Sequence, residues 1–359
     1  MPVLTTPRLL IRDLRPADHD ACQALFRAIG WFNASLPEAE ITDRRRSWFE
    51  WAVANTRELA RLYQPPLGDR AIIDRANGDF VGLVGYVPAL EPYAQLPAFG
   101  GVEQARNGFE IGLFWAVMPE RQGQGIASEA ACAMIANAFE RLRLRRIVAT
   151  TENPNLASAA VMRRLGMSVE RNPFAEPPHF QTVGWIDADS PFVRFEEDAD
   201  VAAIAALVAA AYGPDGDTAG FVTAVRAETS VCLAEVSLAG GRIVGHAQWC
   251  DAPIVVDGNV VRSAYLTCLS VEPELQRTGV GSRLVRSGLR RLIDFGYEAA
   301  TLLGDPVYYG RFGFASKLAT RIEAPHRSRG EGFQAIELKP GALDGAVLRA
   351  DFPTIIAPT

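Results

Sequence analysis

Residues 119–130 read PERQGQGIASEA and residues 273–284 read PELQRTGVGSRL. Both open on Pro-Glu, and both follow an apolar run with strand character, FEIGLFWAV at 109–117 and AYLTCLSV at 264–271. Both then lead into a helical pattern. A glycine-bearing turn between strand and helix aims consecutive backbone N–H groups at one point, and the helix dipole adds about half a positive charge there. Such a site suits a pyrophosphate, with glycine wherever the backbone must come close or take a positive φ. Its occurrence twice predicts a duplicated unit.

The two loops share Gln-x-x-Gly-x-small, as Gln122, Gly125, Ala127 and as Gln276, Gly279, Gly281. A dinucleotide fingerprint fits worse: GxGxxG partly matches the first loop but fails in the second, and both loops follow the fourth strand rather than the first. The repeat also extends beyond the loops. Arg164-Leu165-Gly166-Met167 and Arg311-Phe312-Gly313-Phe314 follow in the same order.

A length of 359 residues predicts two domains. The short acidic segment around 186–192, broken by Pro191, marks their boundary. The expectation is an N-terminal domain over 1–189 and a C-terminal domain over 190–359. Hydrophobic content of 48% with 22% charged residues fits a folded globular chain. A net charge of −6 argues against a nucleic-acid partner and fits basic or amine-bearing ones better. The apolar run VAAIAALVAAAY at 201–212 is too short for a bilayer and reads as a buried helix, so no membrane partner is expected. The first residues show no targeting pattern, which makes a cytoplasmic location the default expectation. Five scattered cysteines and four isolated histidines (His19, His179, His246, His326) imply neither a disulfide framework nor a metal. Oligomer formation stays open.

Periodicity predicts, in the first half, a strand at 8–14, helices at 18–29 and 38–62, and two strands turning at Asn77-Gly78. The Pro- and Gly-rich stretch 88–108 is long enough to predict a lid or binding loop. Trp48 and Trp51 on the second helix are candidates for either an acceptor groove or core packing. In the second half, helices at 199–212 and 218–227 precede paired strands, an extra hairpin at Asp257-Gly258, and a helix capped by Gly296.

On these residues both halves resemble GCN5-related N-acetyltransferases, whose signature loop is Gln or Arg, two residues, Gly, one residue, then Gly or Ala. The first half resembles the ribosomal-protein alanine acetyltransferase branch through TPRLLIRDLRPAD, FEIGLFWAV and NPNLASAAVMRRLGM. The second resembles a small bacterial branch of unsettled substrate through GGRIVGHAQW, LSVEPELQRTGVGSRLV and LLGDPVYYGRFGF. The resemblance implies two α/β domains, each a central mixed, mostly antiparallel sheet flanked by helices. It also implies acetyl-CoA as co-substrate and an amine acceptor. In the first half Gln122, Gly123, Gln124, Gly125, Ile126 and Ala127 would wrap the pyrophosphate. Val117 would pair with the pantetheine arm, and Asn155 would hydrogen-bond the cofactor. In the second half Leu269 and Val271 take the strand role, and Arg277, Thr278, Gly279, Val280 and Gly281 take the loop role.

Acetyl transfer needs a neutral amine, a polarised thioester and an acid near the departing thiolate. Tyr309 stands four residues before Gly313, the family's place for that acid; a packed aromatic is the alternative. The matching position in the first half is Met162, which has no proton to give; the resembled branch implies Ser158, one helical turn earlier, as the donor, with a helix-surface serine the alternative. Glu110 on the fourth strand is the candidate base, with a structural carboxylate the alternative. Ala264 matches Glu110 in the second half, which leaves that base unnamed. Two other readings stay open: one catalytic domain beside a degenerate scaffold or acyl-CoA sensor, and a non-catalytic interaction protein.

Overall fold

The computed structural model describes residues 1–31, 35–213, 218–227, 231–323, 330–345 and 348–350. His326 lies outside the described residues. The chain divides into two compact units, Met1–Ser190 and Pro191–Thr359.

In the first unit the strands are β1 (Leu4–Thr5), β2 (Leu9–Asp13), β3 (Gly68–Asp74), β4 (Phe80–Glu91), β5 (Gly108–Val117), β6 (Arg146–Thr151), β7 (Ser168–Arg171) and β8 (Thr182–Asp187). The helices are α1 (His19–Ala28), α2 (Glu38–Arg61), α3 (Ile126–Glu140) and α4 (Leu156–Arg164). One eight-stranded sheet runs β1-β2-β3-β4-β5-β6-β8-β7. Its one parallel pair is β5 with β6, and the rest are antiparallel. The continuous apolar run of β4 is explained by burial on both faces. Leu83 and Ala116 pack with Phe26 of α1 and Phe49 of α2. On the opposite face the Tyr86 hydroxyl donates to the Met134 carbonyl of α3 at 2.6 Å. Trp48 packs edge-on against Phe26 at 4.8 Å, whereas Trp51 is exposed.

The stretch 88–108, expected to be a lid or binding loop, is tied down, and Pro88, Ala89 and Glu91 at its start border the cleft described below. β4 runs on to Glu91 and β5 starts at Gly108, and the segment between is anchored by Leu96, wholly buried with Phe180 and Val183. The Asn172 amide donates to Gln95 at 2.7 Å from the same side. Burying an apolar residue and satisfying two buried amides fixes a segment whose composition alone reads as loose.

The second unit has strands β9 (Phe192–Phe195), β10 (Val231–Ala239), β11 (Arg242–Asp251), β12 (Ile254–Val256), β13 (Asn259–Val261), β14 (Ser263–Val271), β15 (Ala299–Leu303), β16 (Ile322–Glu323), β17 (Phe333–Glu337) and β18 (Leu348–Ala350). Its helices are α5 (Val201–Tyr212), α6 (Thr218–Ala227), α7 (Val280–Asp294), α8 (Pro306–Gly310) and α9 (Ser316–Ala319). The main sheet runs β17-β15-β14-β11-β10-β9, again with one parallel pair, β14 with β15. The hairpin at Asp257-Gly258 forms with both residues at positive φ, and it belongs to a second small sheet, β13-β12-β18-β16. The sequence reading did not foresee that sheet.

One clasp recurs in both units. Arg12 on β2 grips Asp18 with two hydrogen bonds of 2.7 and 2.8 Å, and Arg194 on β9 grips Asp200 with bonds of 2.6 and 2.9 Å. Each carboxylate also accepts a backbone N–H at 2.8 Å, from Arg15 and from Glu197. Burial alone would raise these carboxyls. The arginine and N–H hydrogen bonds outweigh it and hold both below the ordinary range. The clasp locks the first strand to the first helix, whose far end borders the cleft described next.

Candidate active site

In each unit the parallel pair parts midway. β5 and β6 are paired only at Ile111–Ile147 and Gly112–Val148, after which both continue unpaired. β14 and β15 are paired from Ser263–Ala299 to Leu266–Leu302, and β14 then runs five residues further, to Val271. In the second unit a register shift inserts Thr267 opposite Gln248, and the Thr267 hydroxyl donates to the Gln248 carbonyl at 2.9 Å. A bulge of this kind redirects a strand. The β4–β5 ladder has no such shift. Each opening is a cleft, of about 970 Å³ in the first unit and about 440 Å³ in the second.

The glycine loops close one end of each cleft in the same way. Gly125 and Gly279, at φ +76° and +99°, turn the chain into α3 and α7. Gly123 stands at φ +74°, and the matching residue of the second loop, Arg277, takes φ +64° although it carries a side chain. The left-handed turn is thus part of the loop's shape, held even where it strains a non-glycine residue. The signature glutamines brace both loops: Gln122 Nε2 donates to the Val117 carbonyl at 3.0 Å and Gln276 Nε2 to the Val271 carbonyl at 3.3 Å. That leaves the backbone N–H groups of Gly123 to Ala127, and of Gly279 to Gly281, without partners among the described residues. They point where a helix dipole already favours negative charge.

Val117, Gln122, Gly123, Gly125, Ile126, Ala127, Asn155 and Ser158 all border the first cleft. The Asn155 carboxamide oxygen also caps α4 by accepting from the Ser158 N–H at 3.1 Å. Gln124 faces away, its amide donating to the Glu120 carbonyl at 3.1 Å. Glu110 is not among the lining residues; it is ion-paired to Arg145 at 2.8 Å, before the strands part. Met162 is fully buried against Gly184. Two residues that the sequence did not single out as a pair also border this cleft: Glu91 at the end of β4, and His179, whose Nε2 lies 3.0 and 3.1 Å from the two Glu91 oxygens.

Leu269, Val271, Arg277, Gly279 and Gly281 border the second cleft, while Thr278 closes its own turn onto the Leu275 carbonyl at 2.6 Å and Val280 packs inward. Tyr308 lines this cleft, and a Cβ at Gly281 would come within 2.7 Å of its hydroxyl, so Gly281 makes room for Tyr308. Tyr309 lies behind, edge-on to Tyr308 at 4.8 Å and so close over Gly304 that a Cβ there would come within 2.3 Å of its ring. Burial, reinforced by Tyr212 and Tyr308, pushes the Tyr309 phenol above its ordinary range and keeps it protonated at neutral pH. Tyr212, the last residue of α5, reaches across and donates its hydroxyl to the Leu269 carbonyl at 3.0 Å.

A family model described as an acetyltransferase (GNAT) domain matches residues 8–168, and a second of the same description matches residues 193–316. The Escherichia coli K12 protein called uncharacterized N-acetyltransferase YhbS is 31% identical over 156 residues, which is 43% of this chain and 90% of that protein. The chain belongs to the GNAT acetyltransferase family. It carries two GNAT domains in tandem, each with a mixed, mostly antiparallel sheet. An Aspergillus fumigatus protein named FsC-acetyl coenzyme A-N(2)-transacetylase is 36% identical over 107 residues, 29% of this chain and 42% of that one. A crystal structure of E. coli YhbS in complex with CoA is 27% identical, covers 47% of this chain and 92% of that chain, and superposes with a TM-score of 0.42. Among the described residues no helix is long and apolar enough to cross a membrane, and no cluster of three metal-binding side chains occurs.

Proposed function

We propose that this tandem GNAT protein moves an acetyl group from acetyl-CoA to a primary amine by direct attack, and that each unit has its own acetyl-CoA site. The observation that carries the reading is the parting of the parallel pair in each unit, with a loop of unpartnered backbone N–H groups at its mouth. The amides of Gly123 to Ala127 and of Gly279 to Gly281 receive the pyrophosphate, each bond strengthened by the ligand's charge. The exposed strand edges ending in Val117 and Val271 receive the pantetheine amides as an added strand would. Asn155 and Ser158 then stand near the thioester in the first unit, where Ser158 can donate to the departing thiolate. In the second unit Tyr308 borders the cleft with the protonated Tyr309 phenol packed edge-on behind it at 4.8 Å, and the donor is drawn from this tyrosine pair.

Thiol release from acetyl-CoA in the presence of a panel of amines tests the reading. Release that depends on the amine, lost in stages as Gly125 and then Gly279 are replaced by valine, is the expected result. Release abolished by one change alone would leave one working unit beside a degenerate partner. Acetyl-CoA left intact with every amine would favour an interaction protein.

A further inference from the structure

We infer that His179, held by Glu91, is the catalytic base of the first unit; this rests on the acetyltransferase reading of that cleft. Glu91 is the last residue of β4, on the same sheet face as Val87 and Ala89, which also line the cleft. Its side chain is 13% exposed and that of His179 is 62% exposed, so the carboxylate is sheltered while the ring meets solvent. A carboxylate only accepts hydrogen bonds, so the nitrogen facing both its oxygens, Nε2, carries the hydrogen. The neutral ring then has its lone pair on Nδ1, which bonds to no described residue.

The segment that presents His179 is fixed on both sides. Phe180 is fully buried with Leu96 and Val183, and its N–H donates to the Pro177 carbonyl at 3.0 Å. The Gln181 side-chain amide bonds the carbonyls of Phe174, Ala175 and Pro177 at 3.2, 2.9 and 3.0 Å. A catalytic group must be held in place to be effective, and this packing does so. The other two described histidines also meet carboxylates, His19 Nδ1 with Asp20 at 2.9 Å and His246 Nε2 with Glu196 at 3.0 Å, but neither borders a cleft, so His179 differs from them in facing the site.

His179 and Glu91 lie at the β4 end of the cleft, whereas the glycine loop lies at the other end of β5. An amine entering between them approaches the thioester carbonyl from the side away from the pyrophosphate. As its nitrogen bonds to the carbonyl carbon and the C–S bond breaks, His179 Nδ1 takes the proton leaving the nitrogen. Sulfur collects a proton from Ser158 or water. Glu91, a positioning residue, fixes the tautomer and balances the imidazolium.

The test uses the full chain with Gly279→Trp to silence the second unit, assayed with acetyl-CoA and with spermidine, an alanine-initiated peptide or a serine-initiated peptide. His179→Gln should lower kcat about a hundredfold with little change in KM for acetyl-CoA, the scale of a lost general base. Added imidazole should restore part of the activity of His179→Gly. Glu91→Gln should cost about tenfold alone and nothing further in the His179→Gln background. Independently of turnover, nitrogen NMR of histidine-labelled protein should show His179 with hydrogen on Nε2, a tautomer bias that Glu91→Gln removes. Unchanged kcat in His179→Gln, or hydrogen on Nδ1, overturns the assignment while leaving the acetyltransferase reading intact. Parent protein inert towards all three amines, with acetyl-CoA unbound, overturns both.

Discussion

Trp115 in the first unit and Leu269 in the second occupy the same place on the strand that borders the cleft, two residues before the end of β5 and of β14. At Leu269 the backbone carbonyl is already bonded by the Tyr212 hydroxyl, in a cleft of about 440 Å³. At Trp115 no described side chain takes that place, and the cleft is about 970 Å³. The loops at their mouths are nevertheless alike in backbone shape and in their glutamine brace. The two units share the shape of the loop and differ at the strand edge. On this account the units bind the same phosphate group and differ in how freely they admit the arm attached to it.

The comparison is sharpened by changes expected to act alike in both units and by changes expected to act in one. Asp18→Asn and Asp200→Asn each remove the carboxylate that accepts two arginine hydrogen bonds and a backbone N–H, which should cost about 3 kcal/mol of stability in the unit concerned. Thermal unfolding of the two variants should show similar losses; a loss in one only would show that the clasps are not equivalent. The same carboxyls are held below their unfolded values, so their contribution is fully present above about pH 4 and fades as the pH falls through the folded values. Midpoints measured from pH 6 downward should drop accordingly.

Gly125→Val places a β-branched residue at φ +76° and should weaken acetyl-CoA binding in the first unit at least a hundredfold, about 2.7 kcal/mol, without touching the second. Calorimetry on Gly125→Val and Gly279→Val would expose any cross-talk. Tyr212→Phe removes the hydroxyl that competes for Leu269 and should tighten the second site about fivefold, near 1 kcal/mol, with the first unmoved. Weaker binding in that variant would make Tyr212 a ligand contact instead. The smallest effect is expected of Arg277→Gly, which relieves a left-handed non-glycine residue and should add about 0.5 kcal/mol to stability.

How much was legible in the sequence follows from the range of each signal. The glycine loops, the adjoining strands and the helices around them are local patterns, and they stand where periodicity put them. The Arg12–Asp18 and Arg194–Asp200 clasps are equally local, yet RDLRPAD and RFEEDAD share too few residues for the repeat to be noticed before the bonds are seen. The small sheet of the second unit draws on Ile322–Glu323 and Leu348–Ala350, too short to carry a period. Glu91 and His179 stand 88 positions apart and meet only because Phe180 is buried beside Leu96. Tyr212 and Leu269 stand 57 apart and meet across the cleft. Side-chain partners at that separation are set by tertiary packing, which a motif does not encode.

Isothermal titration of the full chain with acetyl-CoA tests the account most directly. It predicts two sites per chain of unequal affinity, the tighter one removed by Gly125→Val and the weaker by Gly279→Val. A single site in the unaltered protein, or binding that survives both loop changes together, would contradict the claim that each parted strand pair with its glycine loop is a working acetyl-CoA site.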